Sequence, residues 1–247
     1  MPGPGAHELL QAWESGLPRS PTNRALTLLA TAMPGTPVEE IATLPIGARD
    51  VGLLRLRSAL FGDRVEAVCS CPSCGEPLDV SFDLRDLLRD DNSEATDATA
   101  STRQLTLDGH QVTVRAPSSL DLLAVAGEPD LLAARRALLR RCLAVAGDSG
   151  APSADSLPDD VAEALGTQIA ALDPRARIEL DLGCAACGHN WRTVFDIAGF
   201  LWAEIDAWAP RILRDVHTLA RAYGWREADI LAMSARRRQS YLELAWS

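Results

Sequence analysis

The chain has 247 residues, of which 47% are hydrophobic, enough for one larger domain or two small ones with a real core. It carries 24 basic against 34 acidic residues, a net charge of −10, which argues against a duplex-binding protein because such proteins draw affinity from a basic face. The N-terminal MPGPGAHELLQAWESG has neither the basic nor the apolar region of a signal peptide, and no window nears 18 uninterrupted apolar residues. A cytoplasmic location is therefore expected, where thiols stay reduced and paired cysteines read as metal ligands rather than disulfides.

In chain order, residues 7–62 read as helical, with apolar residues at helical spacing in HELLQAW, NRALTLLATAM and VGLLRLRSALF. Pro-Gly and Gly-Pro steps punctuate them. Residues 64–84 change to alternation around a Cys-rich turn. Residues 90–102, DDNSEATDATAST, are small, polar and acidic and read as a flexible loop. RQLTLDGHQVTVRAP predicts a hairpin turning at Asp108-Gly109, since both turn positions need positive φ. Ser118 or Ser119 can cap the helix that follows. EPDLLAARRALLRRCLAVAG reads as one amphipathic helix, GDSGAPSADSLP as a linker, and DDVAEALGTQIAALD as a helix closed by Asp173-Pro174. Residues 177–197 return to strand character. The remainder is helical, with Pro210 and Gly224 as expected bends or breaks.

The two Cys segments match in register. RVEAVCSCPSCGEPLDVSFDL (64–84) and RIELDLGCAACGHNWRTVFDI (177–197) share Arg64/Arg177, Glu66/Glu179, Cys71/Cys184, Cys74/Cys187, Gly75/Gly188, Phe82/Phe195 and Asp83/Asp196. Tetrahedral zinc needs four ligands, and each Cys-x-x-Cys turn supplies two thiolates. The Gly after the second Cys lets the turn reach positive φ. Cys71, Cys74, Cys184 and Cys187 are therefore expected to bind one structural Zn²⁺, with residues 85–176 inserted between the halves of a split ribbon. Four Cys leave no open position for catalysis, and two matched pairs argue against a thiol–disulfide role. Cys69 could compete as a ligand, but its counterpart is Leu182 and it reads as a strand residue. Cys142 reads as core, and His189 as solvated because its counterpart is Glu76.

No phosphate loop, nucleophile elbow or His-Glu-x-x-His is present, and none of the four histidines sits in a catalytic setting. Asp159 and Asp160 read as dipole-favoured carboxylates at a helix start. Arg135, Arg136, Arg140 and Arg141 read as a solvated helix face. Five of the six Trp lie after residue 190. Most should be core, but Trp, Tyr and Arg also dominate protein–protein hot spots. Trp225, Arg236, Arg237, Arg238 and Tyr241 are the candidate partner-binding residues.

The tail carries a resemblance. Trp225, Glu227, Ile230 and Leu231, then Arg236 to Arg238, then Tyr241 and Leu242, resemble the ending of the T-even phage baseplate hub and hub-assembly chaperone family of contractile phage tails and contractile injection systems. VRAPSSLDLL, residues 114–123, is similar to that family's strand, Arg-x-Pro, Ser/Thr and acidic step. The two knuckles resemble zinc-containing, actinobacterial and related variants. The resemblance implies no catalytic residues and a role in building a baseplate or hub, as a component or as an assembly factor, with other baseplate proteins as partners.

The expectation is thus an α+β protein: an N-terminal helical segment (1–62), a split zinc ribbon with an inserted hairpin and helices (63–197), and a helical C-terminal tail (198–247). Its expected function is a non-enzymatic structural or chaperone-like assembly protein of a contractile particle. The alternatives are a zinc-ribbon nucleic-acid-binding or regulatory protein and, third, a redox or hydrolytic enzyme.

Overall fold

A computed structural model describes residues 3–89, 102–107, 110–145 and 157–245 of the chain. It is α+β, and it divides into two compact units: Met1–Thr36 with Ile197–Ser247, and Pro37–Asp196.

The first unit is helical. It contains α1 (Ala6–Gly16), α2 (Pro21–Ala32), α9 (Ile197–Tyr223), α10 (Glu227–Leu231) and α11 (Ala235–Ala245). Ser20 caps α2 by accepting from the Asn23 amide, and Pro21 occupies the first turn, where its missing N–H costs nothing. Along α9, Ile197, Leu201, Ile205, Ala209, Ile212, Val216 and Leu219 are buried at steps of three and four, one face of a 3.6-residue period. The second half of this stripe packs with Leu10, Ile230, Leu231 and Leu242. Trp13 Nε1 donates to Asp206 at 2.8 Å, tying α1 to the outer side of α9. Pro210 does not break the helix as its sequence suggests. It lies on the exposed side, where water can take the carbonyl bond its missing N–H leaves unmade. Gly224 does end α9, at φ 67° with its amide donating to the Ala220 carbonyl, a left-handed C-terminal cap.

The second unit runs α3 (Val38–Thr43), α4 (Ile46–Phe61), β1 (Arg64–Ser70), β2 (Pro77–Asp83), α5 (Leu84–Arg89), β3 (Thr102–Leu107), β4 (His110–Arg115), α6 (Ser119–Val125), α7 (Leu131–Cys142), β5 (Leu143–Val145), α8 (Asp159–Ala170), a 3-10 turn (Pro174–Ala176), β6 (Glu179–Gly183) and β7 (Asn190–Val194). Its strands form a β1-β2 hairpin, a three-stranded sheet in the order β3-β4-β5, and a β6-β7 hairpin, all antiparallel. The inserted hairpin pairs Leu107 with His110 across the expected turn; Asp108 and Gly109 lie outside the described residues, as do most of the GDSGAPSADSLP linker and all of the acidic loop reading at 90–102 except Thr102, which begins β3.

One helix is shorter than the sequence suggests. The amphipathic run from Glu128 stops at Cys142, and Leu143–Val145 instead pairs with β4, Val114 to Leu143 and Val112 to Val145. Asp130 caps its start, accepting from the Ala133 amide at 2.8 Å. The open edge of β4 offers backbone partners to a segment that local periodicity alone reads as more helix. Val114, Leu139, Cys142, Leu157, Ala162, Leu165 and Ile169 form the core between this sheet, α7 and α8. Gly47, in the first turn of α4, donates its amide to Asp173 at 2.7 Å. A Cβ at Gly47 would lie 2.9 Å from the Ala176 amide, so only glycine lets α4 dock on that turn.

Candidate metal centre

The two knuckles are built alike. In the first, the Cys71 amide donates to the Glu76 carbonyl at 2.9 Å and the Gly75 amide to the Cys71 carbonyl at 2.9 Å. In the second, Cys184 donates to His189 at 2.8 Å and Gly188 to Cys184 at 2.8 Å. Gly75 and Gly188 have φ of 77° and 72°, the left-handed region that glycine reaches at no steric cost. The strand registers agree as well. Ser70 pairs with Pro77 and Gly183 with Asn190, the same positions of the repeat. The Phe195 amide donates to the Ile178 carbonyl at 2.8 Å, extending the second hairpin toward the length of the first. The second strand of the first hairpin runs straight into α5 at Leu84, and after β7 only Phe195 and Asp196 precede α9 at Ile197; Leu84 and Ile197 are both buried. Asp83 sits just before the first of these helices and accepts the Arg85 amide at 2.8 Å.

The hairpins meet through their matching positions. Phe82 and Phe195 pack edge to face with ring centroids 5.1 Å apart. At the tips, Cys71, Cys74, Cys184 and Cys187 place their four Sγ atoms within 4.8 Å of one another. Cys71 to Cys187 and Cys74 to Cys184, pairs that cross between knuckles, are both 3.7 Å. Thiolates about 2.3 Å from a tetrahedral zinc ion stand about 3.8 Å apart, so the donor set has the size and softness that such an ion requires. Cys71 and Cys184 are buried while Cys74 and Cys187 face solvent.

Electrostatics point the same way. Burial would raise the Cys71 thiol, but the amides of Cys74 and Ser73 and the adjoining thiols bring it down to about 7. Cys74 receives an amide hydrogen bond at Glu76 that lowers it, yet the neighbouring sulfurs of Cys187, Cys184 and Cys71 push it up to about 12. Four crowded thiols cannot all ionise unless a cation joins them. Among the described residues, Cys69, Cys142 and His189 stay outside the cluster. Cys69 is a half-buried strand residue opposite Leu78, Cys142 is core, and His189 is exposed and stacked on Trp191 at 5.9 Å.

A second constellation was only partly visible in sequence. Asp121 is fully buried and accepts from Arg115 at 2.6 and 2.9 Å, from Arg141 at 2.8 Å and from the Ser118 amide at 2.9 Å. The Arg-x-Pro-Ser-Ser-x-Asp run is therefore a clamp that fixes the β4 to α6 corner, with Ser118 as helix cap. Arg141 lies on the exposed face as expected, yet it reaches back to this carboxylate. Only its spacing from Arg140 on α7 was readable; its partner lies 20 residues away.

In the helical unit, Tyr223 stacks on Trp225 at 4.5 Å, Tyr241 meets both rings edge to face at 5.9 and 4.8 Å, and Arg237 lies over the Tyr241 ring at 5.7 Å. Arg236 and Arg237 are exposed. Arg238 departs from the expected surface role: it is buried, paired with Asp215 at 3.5 Å, and donates to the Met233 carbonyl. Arg238 and Leu242, four residues apart, form the buried side of α11.

Against known proteins, residues 7–144 match the family model of the T4 bacteriophage base plate protein. That span includes α1 to α7, the first knuckle and the Arg115–Asp121 clamp; the second knuckle and the aromatic tail lie beyond it. No curated protein and no solved structure matches the chain. Among the described residues no helix is long and apolar enough to cross a membrane.

Proposed function

The chain belongs to the T4 bacteriophage base plate protein family, and from that premise we propose that it is a non-enzymatic structural or assembly protein of a contractile injection system or phage-like baseplate, stapled by one structural zinc ion. The observation that carries the zinc assignment is the four-sulfur cluster at the tips of two matched hairpins. Cys71, Cys74, Cys184 and Cys187 would hold the ion, and when bound it supplies charge neutralisation and a cross-link rather than chemistry, because four thiolates leave no position for substrate. Sharing one ion joins segments 110 residues apart, across the whole insertion that carries the sheet and the Arg115–Asp121 clamp. A rigid platform of this kind suits a protein whose work is to present surfaces to other baseplate proteins in the cytoplasm.

The aromatic stack of Tyr223, Trp225 and Tyr241 with Arg236 and Arg237 is one such surface, since large rings and arginines supply most interface energy. The net charge of −10 speaks against nucleic acid as the partner. The test is deletion in the native host. Loss of assembled sheath-and-tube particles, restored by the wild-type chain and not by Cys74→Ser, supports the reading; normal particles in the deletion strain overturn it. Mass spectrometry of purified particles then separates a resident component from an assembly factor that leaves.

A further inference from the structure

The zinc-stapled unit holds a second feature that the metal does not use. A cavity of about 410 Å³ opens between α7, α8 and the 3-10 turn, lined chiefly by Leu138, Leu139, Ile169, Ala170 and Pro174. Earlier on α7, Leu131 and Leu132 are 86% and 56% exposed, the first of these the most exposed large apolar side chain among the described residues. Leu131, Arg135 and Leu138 fall at i, i+4 and i+7 of one helix, so exposed leucine, cation and cavity wall form a single strip.

The charges at the mouth are unevenly satisfied. Asp173 is taken by the Gly47 amide, and Glu179 by Arg177 and Arg192. Arg136, the neighbour of Arg135, pairs with Asp159 at 3.0 Å. Among the described residues, Arg135 alone of these has no hydrogen bond or ion pair, although the chain as a whole is strongly acidic. A lone guanidinium beside an apolar, leucine-lined recess is complementary to a segment that brings both a carboxylate and an aliphatic side chain.

We propose that this strip is a docking site for an acidic, leucine-bearing segment of another baseplate protein, with one aliphatic side chain filling the cavity and one carboxylate on Arg135. The site rests on the reading of the chain as a baseplate protein for the partner's identity, but its chemistry can be tested on the isolated protein. Gly166 lines the same cavity on α8, and a Cβ there meets only the Arg135 guanidinium, at 3.6 Å. Gly166→Leu should therefore fold as well as the parent, because it also replaces glycine inside a helix, while occupying the recess.

The experiment titrates the full zinc-loaded chain into two fluorescein-labelled amphipathic peptides, one of leucine and glutamate and one of leucine and lysine, followed by anisotropy. The expected result is saturable binding of the glutamate peptide alone, weakened about tenfold by Arg135→Glu and abolished by Gly166→Leu. Equal binding of both peptides, or binding unchanged by both substitutions, overturns the proposal. Sedimentation of the chain without peptide covers the rival occupant: self-association that Gly166→Leu abolishes makes a second copy the partner and also overturns it. A particle phenotype plays no part in these readouts, so the baseplate reading and the docking site can fail separately.

Discussion

Phe82 and Phe195 occupy the same position of two matched hairpins, 113 residues apart in the chain, and meet edge to face at 5.1 Å. The sulfur cluster and this ring pair are the two ends of one contact between the knuckles. Because the repeat places identical residues on facing hairpins, one substitution has a counterpart that removes the same group from the other side. Each of Phe82→Leu and Phe195→Leu should lower stability by about 1 to 2 kcal/mol, as half-buried rings do, and a double-mutant cycle should show a coupling of about 1 kcal/mol. Urea unfolding of the four proteins measures it. Strict additivity would mean the rings do not support each other.

The four-sulfur cluster forms the other end of that contact, and the proposed zinc there makes its own predictions. The purified chain should contain one zinc per molecule, and a chelator should lower its thermal midpoint reversibly. Stability should change by about 1.4 kcal/mol for each tenfold change in free zinc, as linkage requires for a ligand that binds only the folded state. Cys187→Ser should abolish stoichiometric zinc, whereas Cys69→Ser, outside the cluster, should leave it intact. A stably folded, metal-free preparation insensitive to added zinc would remove the staple.

How much of this was legible beforehand follows from which interactions are local. The knuckles were readable because thiolate pairs, the glycine after them and the alternation of the strands all lie within a 21-residue repeat. The hairpin was readable from Asp-Gly between alternating segments, and its register agrees. The end of α7 was not readable, because Leu143–Val145 leaves the helix for a strand edge that the sequence does not place beside it. The partner of Arg141 and the burial of Arg238 were not readable for the same reason: Asp121 and Asp215 lie more than five turns of helix away along the chain, and charge patterning sees only neighbours. Pro210 shows the converse, a local signal overruled by a buried stripe on the opposite side of α9.

Gly75 and Gly188 allow a cleaner test of backbone against packing. Both sit at positive φ, and a Cβ at either would meet nothing within 4 Å. Substitution by alanine should therefore cost only the left-handed conformation, about 1 to 2 kcal/mol at each site, with asparagine costing less than alanine. Gly47→Ala should cost more than either, because its Cβ would press on the Asp173 carboxylate and the backbone of the following turn. Thermal unfolding at fixed free zinc ranks the three, and equal penalties would count against the conformational account.

Two carboxylates should give the second unit opposite responses to pH. Burial of Asp121 would raise its pKa, but hydrogen bonds from Arg115, Ser118 and Arg141 hold it well below the usual carboxylate range. Its contribution is therefore present above the unfolded pKa, near 4, and is lost as pH falls through the lower folded value. Asp50 behaves the other way. Burial in α4 pushes it up to about 6 against the pull of Arg49, with Asp196 and Asp173 adding to the rise. The folded state binds its proton more tightly, so this residue costs stability as pH climbs from about 4 to about 6, by roughly 3 kcal/mol at most. Asp50→Asn should flatten the stability profile between pH 4 and 6 without steepening the acid limb. Asp121→Asn should lose about 3 to 5 kcal/mol at pH 7, because two arginines are left facing a neutral group, and should flatten the limb below pH 4. Urea midpoints from pH 3 to 8 distinguish the two, and an unchanged slope between pH 4 and 6 in Asp50→Asn would place the buried charge elsewhere.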